Sequence, residues 1–170
     1  SIVATRGSEL TIAVKFVEGG FGSPRIFRLG IGDAVVLEGP MGDMRLNGST
    51  SYLFIAAGVG ITPFKAMIDQ ALGNGATVTL LQGARYPASL IYYDEFKELA
   101  RTEPRFTYIP TLSQPDEKFD ALKGRVNDHL DDIPLSCETT VYMCGMPAMV
   151  DCCMGILSSK HVKAIFSESY

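Results

Sequence analysis

The chain has 170 residues, 46% of them hydrophobic and 20% charged, and its 15 basic and 19 acidic side chains leave a net charge of -4. This is the balance of a soluble globular protein long enough for one ordinary domain or two small ones. No run of like charge offers a footprint for nucleic acid or an anionic membrane surface, although a docking partner carrying a basic patch is compatible with the acidic balance.

In chain order, Leu10 to Val17 alternates Leu10, Ile12, Val14 and Phe16 with Thr11, Ala13, Lys15 and Val17, a period of two that predicts a strand. A turn over Gly19 to Pro24 follows, then a short segment from Arg25 to Leu29. A second strand is expected at Ala34 to Glu38, closed by Gly39-Pro40-Met41-Gly42. Asn47 to Ser51 reads as a linker. Beyond it the texture changes to alternating strand and helix. Tyr52 to Ala57 is an apolar strand; Phe64, Met67, Ile68, Ala71 and Leu72 follow at helical spacing, with Gly73 as the stop. Strands are then predicted at Thr77–Gln82, Phe106–Thr111, Thr140–Cys144 and Val162–Ser167, and helices at Asp94–Ala100, Arg125–Leu130 and from Pro147 onward. Such alternation predicts an α/β fold, a doubly wound parallel sheet with its ligand at the carboxyl ends of the strands.

The longest apolar runs are strand-sized and too short to span a bilayer, and no signal-peptide pattern opens the chain, so no membrane span is expected and the cytoplasm is the default location. The chain begins without methionine, in mid-pattern, as a fragment or trimmed product would. Its four cysteines form no C-x-x-C pair and have only His129 and His161 as companions, so no metal site is expected.

The corner Gly58-Val59-Gly60-Ile61-Thr62-Pro63-Phe64 joins a strand to a helix, the place where two glycines let the backbone approach an anion and the first helical N–H groups face it. Thr62 can cap that helix, and Pro63 suits its first position. A plain capped turn without ligand reads equally well from these residues. At the end of Thr140–Cys144, Cys144 stands beside Gly145, which lets a flat ligand approach, and before Met146 and Pro147; a lone cysteine there is otherwise core packing. Arg85, closing the Thr77 strand, can pair with a ribose phosphate or sit in solvent. Ser113 and Gln114 are uncharged candidates after the third strand.

Taken in order, Gly58 to Phe64, Leu81-Gln82-Gly83-Ala84-Arg85, Leu90 to Phe96, Gly124-Arg125-Val126 and Tyr142 to Pro147 resemble the ferredoxin–NADP reductase superfamily, especially the reductase components of multicomponent oxygenases. Val14 to Gly20 and Gly39 to Gly42 are similar to the second half of that family's flavin-binding barrel. The resemblance implies that residues 1–47 are the C-terminal part of an FAD-binding antiparallel β-barrel and 48–170 an NAD(P)-binding α/β domain. It implies hydride transfer from NAD(P)H to FAD and then single-electron transfer to an iron–sulfur or haem protein. Carried over, Gly58, Gly60, Thr62 and Pro63 hold the nucleotide's pyrophosphate, with Arg85 and Ser113 on the adenosine side. Cys144, with Gly145 and Met146, flanks the reacting carbon and orients rather than attacks. Gly20 and Ser23 match the turn around the FAD pyrophosphate, and Ser1 the serine of the family's Arg-x-Tyr-Ser motif, whose Arg and Tyr this sequence lacks. Glu168 falls near the flavin edge and Tyr170 against its ring; a frayed polar tail is the other reading of that ending. Ser113-Gln114 stands where NADP-specific members often carry Ser-Arg, which favours NADH, with NADPH left open by Arg85.

A nucleotide-binding regulatory or assembly subunit without flavin is the competing class. A dehydrogenase with its own small substrate is disfavoured, because no His–Asp or Tyr–Lys acid/base pair stands at the strand ends.

Overall fold

The structure is a computed structural model that describes residues 2–39, 41–42, 44–115 and 119–170. Among the described residues two sheets are present. A small antiparallel pair, β1 (Ile2–Arg6) and β2 (Glu9–Ile12), opens the chain, and a single helical turn, α1 (Ser23–Ile26), follows. The strand expected over Leu10 to Val17 therefore stops at Ile12, and Ala34 to Glu38 forms no strand. Among the described residues no strand pairing continues past Ile12 or forms at Ala34 to Glu38. Val35, Val36 and Leu37 are 55%, 98% and 64% exposed, so their apolar face is uncovered.

The second sheet comprises β3 (Ser51–Ala57), β4 (Thr77–Ala84), β5 (Phe106–Leu112), β6 (Leu122–Lys123), β7 (Thr139–Gly145) and β8 (Ala164–Ser169). Its six strands run parallel in the order β6-β5-β4-β3-β7-β8. Helices α2 (Thr62–Gly73), α3 (Tyr93–Thr102) and α4 (Pro147–Leu157) and a 3-10 helix at Val126–Asp132 cover it. The central strands are apolar on both faces, as a sheet covered on both sides requires. One core layer sets Phe54, Leu80 and Tyr142 against Phe64 and Ile68 of α2 and Phe96 of α3. The other sets Leu53, Ile55, Leu81 and Met143 against Leu130, Val150, Cys153 and Leu157. This is the doubly wound architecture predicted.

Helix α2 ends at Gly73, as expected, with Asn74 as its C-cap and Gly75 beyond it in the left-handed region at φ +85°. Other local details depart from the sequence reading. The segment expected as a helix at Arg125–Leu130 is wound as 3-10, and the short edge strand β6 had no pattern long enough to announce it. The last strand begins two residues later than predicted, at Ala164, and runs on to Ser169.

The chain leaves β3 for β4 and β5 on one side, then returns to place β7 on the other. The carboxyl ends of β3 and β7 therefore form the crevice where the winding reverses, the position at which open α/β sheets take ligands.

Candidate functional site

The glycine corner opens into that crevice. Ala57 ends β3 in extended conformation, Gly58 turns at φ +56°, and a 3-10 turn over Gly58–Ile61 leads into α2, whose first turn contains Pro63. Thr62 does not cap the helix. It is already helical, and its hydroxyl donates to the Val59 carbonyl at 2.8 Å. The opening N–H groups of this twelve-residue helix thus have no side-chain cap and no acidic residue beside them, which suits an incoming anion.

Gly60 is required by something the sequence did not disclose. A Cβ there would lie 2.1 Å from the Cys144 carbonyl oxygen and 2.6 Å from its carbon, so the corner is packed directly on the end of β7. Its N–H donates to the Tyr170 hydroxyl at 3.1 Å, and that hydroxyl donates to the Ala57 carbonyl at 2.7 Å. Tyr170, just past β8, therefore reaches across β7 into the corner; its own N–H is 3.3 Å from the Gly145 carbonyl oxygen.

Cys144 is 4% exposed and stands in register with Ala56 of β3 and Glu168 of β8. Burial, reinforced by the neighbouring Glu168 carboxylate, pushes its thiol up to about 11, so it is a neutral thiol at physiological pH. Glu168 is exposed, with Oε1 3.5 Å from where a Cβ on Gly42 would sit, so this end of β8 lies beside Gly42. A Cβ on Gly145 would come within 2.9 Å of the Met149 side chain, and the 62% exposed Met146 precedes α4.

On the other side of the crevice, Arg85 and Ser113 follow directly on β4 and β5. The Arg85 Nε donates to the Gln114 side-chain oxygen at 3.1 Å, and Ser113 is exposed beside them. Gly20 and Ser23 sit apart, Gly20 in the turn after β2 and Ser23 as the first residue of α1. The Gly20 N–H donates to the Val17 carbonyl at 3.0 Å, and the Ser23 hydroxyl accepts from the Val17 N–H at 2.9 Å. Ser1 lies outside the described residues. The fold thus gathers Gly58, Gly60, Cys144, Gly145, Glu168 and Tyr170 at one crevice, and aligns Arg85 and Ser113 along the same sheet edge.

Sequence reasoning missed Gln82, Tyr108 and Thr111. Thr111 is fully buried in β5, and its hydroxyl has no hydrogen-bond partner among the described residues. It lies 3.4 Å from where a Cβ on Gly83 would stand. A polar residue in an apolar strand was the available signal. Uncapped helical N–H groups, an unpartnered hydroxyl and glycines at three strand ends fit a nicotinamide nucleotide. Among the described residues no three His, Cys, Asp or Glu side chains come together as a metal site, and no helix is long and apolar enough to cross a membrane.

These features define a nucleotide-binding α/β domain of an oxidoreductase. The family described as the oxidoreductase NAD-binding domain matches residues 54–154, and the chain belongs to that family, within the ferredoxin–NADP reductase superfamily. The chain is 35% identical to the reductase component DmpP of phenol 2-monooxygenase from Pseudomonas sp. strain CF600, over 98% of this chain and 50% of that protein. It is also 35% identical to ferredoxin–NADP reductase B of Sorangium cellulosum, over 82% of this chain and 62% of the relative. Among solved structures, the Amycolatopsis cytochrome P450 reductase GcoB superposes with a TM-score of 0.82 at 25% identity, covering 99% of this chain and 55% of that one. The chain thus spans 50% and 62% of the length of these two relatives.

Proposed function

We propose that this chain is the nucleotide-binding part, with the adjoining stretch of the flavin domain, of an oxidoreductase that passes reducing equivalents from NAD(P)H through FAD to an iron–sulfur or haem protein. The observation that supports it most is the meeting of the glycine corner with Cys144 and Glu168 at the switch point of the sheet. FAD, when bound, supplies the conversion of a two-electron donor into single electrons. The chain's residues bind and align. The corner and the start of α2 hold the pyrophosphate, Arg85 and Ser113 face the adenosine ribose, and Gly145 and Met146 border the nicotinamide beside the neutral Cys144 thiol. In this reading residues 1–47 belong to the flavin domain, with Ser1, Gly20 and Ser23 on the FAD side, and 48–170 to the nucleotide domain. The exposed apolar face of Val35 to Leu37 is what a barrel segment presents to its remaining strands. NADH is the preferred donor, because Gln114 offers no guanidinium to a 2′-phosphate and occupies the Nε of Arg85. A cytoplasmic location belongs to the same reading.

Purified full-length protein is expected to be yellow and to bleach on anaerobic addition of NADH. A colourless full-length protein that binds NADH without diaphorase activity would instead establish a nucleotide-binding regulatory or assembly subunit. Because the Tyr170 hydroxyl takes the Gly60 N–H, nucleotide phosphate competes with it for that donor. Tyr170→Phe should tighten NADH binding by about threefold to tenfold, the scale of one hydrogen bond. Unchanged fluorescence titration would show that the nucleotide does not use this N–H.

A further inference from the structure

Gln82 lies in β4 just before Gly83, with 1% of its surface exposed. A buried amide must find partners for both its oxygen and its nitrogen. The Gln82 oxygen accepts from the Tyr108 hydroxyl of the neighbouring strand β5 at 2.6 Å, and its nitrogen donates to the carbonyl of Ile91 at 3.0 Å. The side chain therefore ties the sheet to the far end of the connection between β4 and α3. Immediately after the tie, Tyr92 adopts φ 63° and ψ 22°, a left-handed conformation that a bulky residue takes only when its surroundings impose it. The Lys65 ammonium lies 4.8 Å over the Tyr92 ring and adds a second hold on that end. At the near end of the same connection stands Arg85, its Nε engaged by Gln114 at 3.1 Å.

We infer that Gln82 is a positioning residue for the adenosine half of a nicotinamide nucleotide: by fixing the Ile91 carbonyl it sets the course of residues 86–92, the connection that leads away from Arg85 at the sheet edge. An apolar side chain would serve the strand itself without any polar burial, so what the amide adds is the tie to the connection. Tyr108 acts through Gln82 and belongs to the same device. The inference rests on the reading that Arg85 faces the adenosine ribose.

The test is calorimetric titration of the full chain with two probes, ADP-ribose for the adenosine half and nicotinamide mononucleotide for the other, alongside thermal unfolding. Gln82→Met is expected to weaken ADP-ribose by about five- to tenfold, the scale of one or two lost neutral hydrogen bonds, with nicotinamide mononucleotide binding unchanged. Tyr108→Phe, which leaves the amide in place, should shift affinity the same way, and the double variant should be no worse than Gln82→Met alone. A lowered melting temperature with unaltered ADP-ribose affinity in both single variants would overturn the positioning role and leave Gln82 as a core residue. Failure of the unaltered chain to bind either probe would overturn the nucleotide reading itself.

Discussion

Alanine at Gly60 is expected to destabilise the protein by about 3–5 kcal/mol, lowering the thermal midpoint by roughly 6–20 °C for a chain of this size. A methyl group there would stand 2.1 Å from the Cys144 carbonyl oxygen and 3.1 Å from the Gly145 N. Both are backbone atoms of a fully paired central strand, so they cannot swing aside as a side chain can. Relief requires either that the 3-10 turn lift off β7 or that the end of β7 move, and either shift spoils the crevice. Gly155 is the internal control. It lies exposed in α4 with nothing within 4 Å of its added methyl, so Gly155→Ala should stabilise by up to about 1 kcal/mol through helix propensity. Differential scanning calorimetry of the two variants separates them by sign. If Gly60→Ala melts like the unaltered chain, the close approach of corner and strand is wrong.

This glycine also shows how far the sequence could be read. That a Gly-x-Gly corner between strand and helix faces a crevice was legible, because it depends on local conformation and on strand–helix alternation. The reason for the second glycine was not, because the carbonyl it avoids belongs to Cys144, far along the chain. Tyr170 is the same case: its ring could be placed only as a stacking residue or a frayed tail, while its hydroxyl bonds to Ala57 and Gly60 across more than a hundred residues. Strand alternation misled at Val14 to Val17, since a period of two specifies a surface ready for pairing and not the backbone that pairs with it, and the apolar run Ala34 to Leu37 misled for the same reason. The parallel sheet was read well because its strands are apolar on both faces and bounded by glycine, proline or polar turns. Gln82 was passed over inside a motif valued for its glycine and arginine. A polar residue among Leu80, Leu81 and Gly83 marks a contact only the folded connection can supply.

Cys144→Ala in the full-length, flavin-loaded protein is expected to lower the rate of flavin reduction at saturating NADH by about 10- to 100-fold, the cost of misplacing reactants by a fraction of an ångström to one ångström, while the dissociation constant for NADH changes little. The asymmetry follows from where the thiol sits. It is walled in by Ala56 and Glu168 on the flanking strands and has the corner packed on its own carbonyl, so it borders the crevice without supplying any of the groups assigned to the phosphates. Because burial and Glu168 hold the thiol neutral up to about 11, the unaltered enzyme should show no thiolate inflection in its reduction rate near the ordinary value of 9. A thiolate there would have implied nucleophilic chemistry; a neutral thiol orients by shape and weak hydrogen bonding. Stability carries the matching signature. The folded protein holds this proton more tightly than the unfolded chain, so the contribution is intact below pH 9 and is lost as pH rises towards 11. Alanine at 144 removes that part of the alkaline slope. Stopped-flow reduction followed from neutral pH to beyond the ordinary thiol value of 9, with a parallel NADH titration, reads both quantities. A large loss of NADH affinity at an unchanged reduction rate would move Cys144 from alignment to binding.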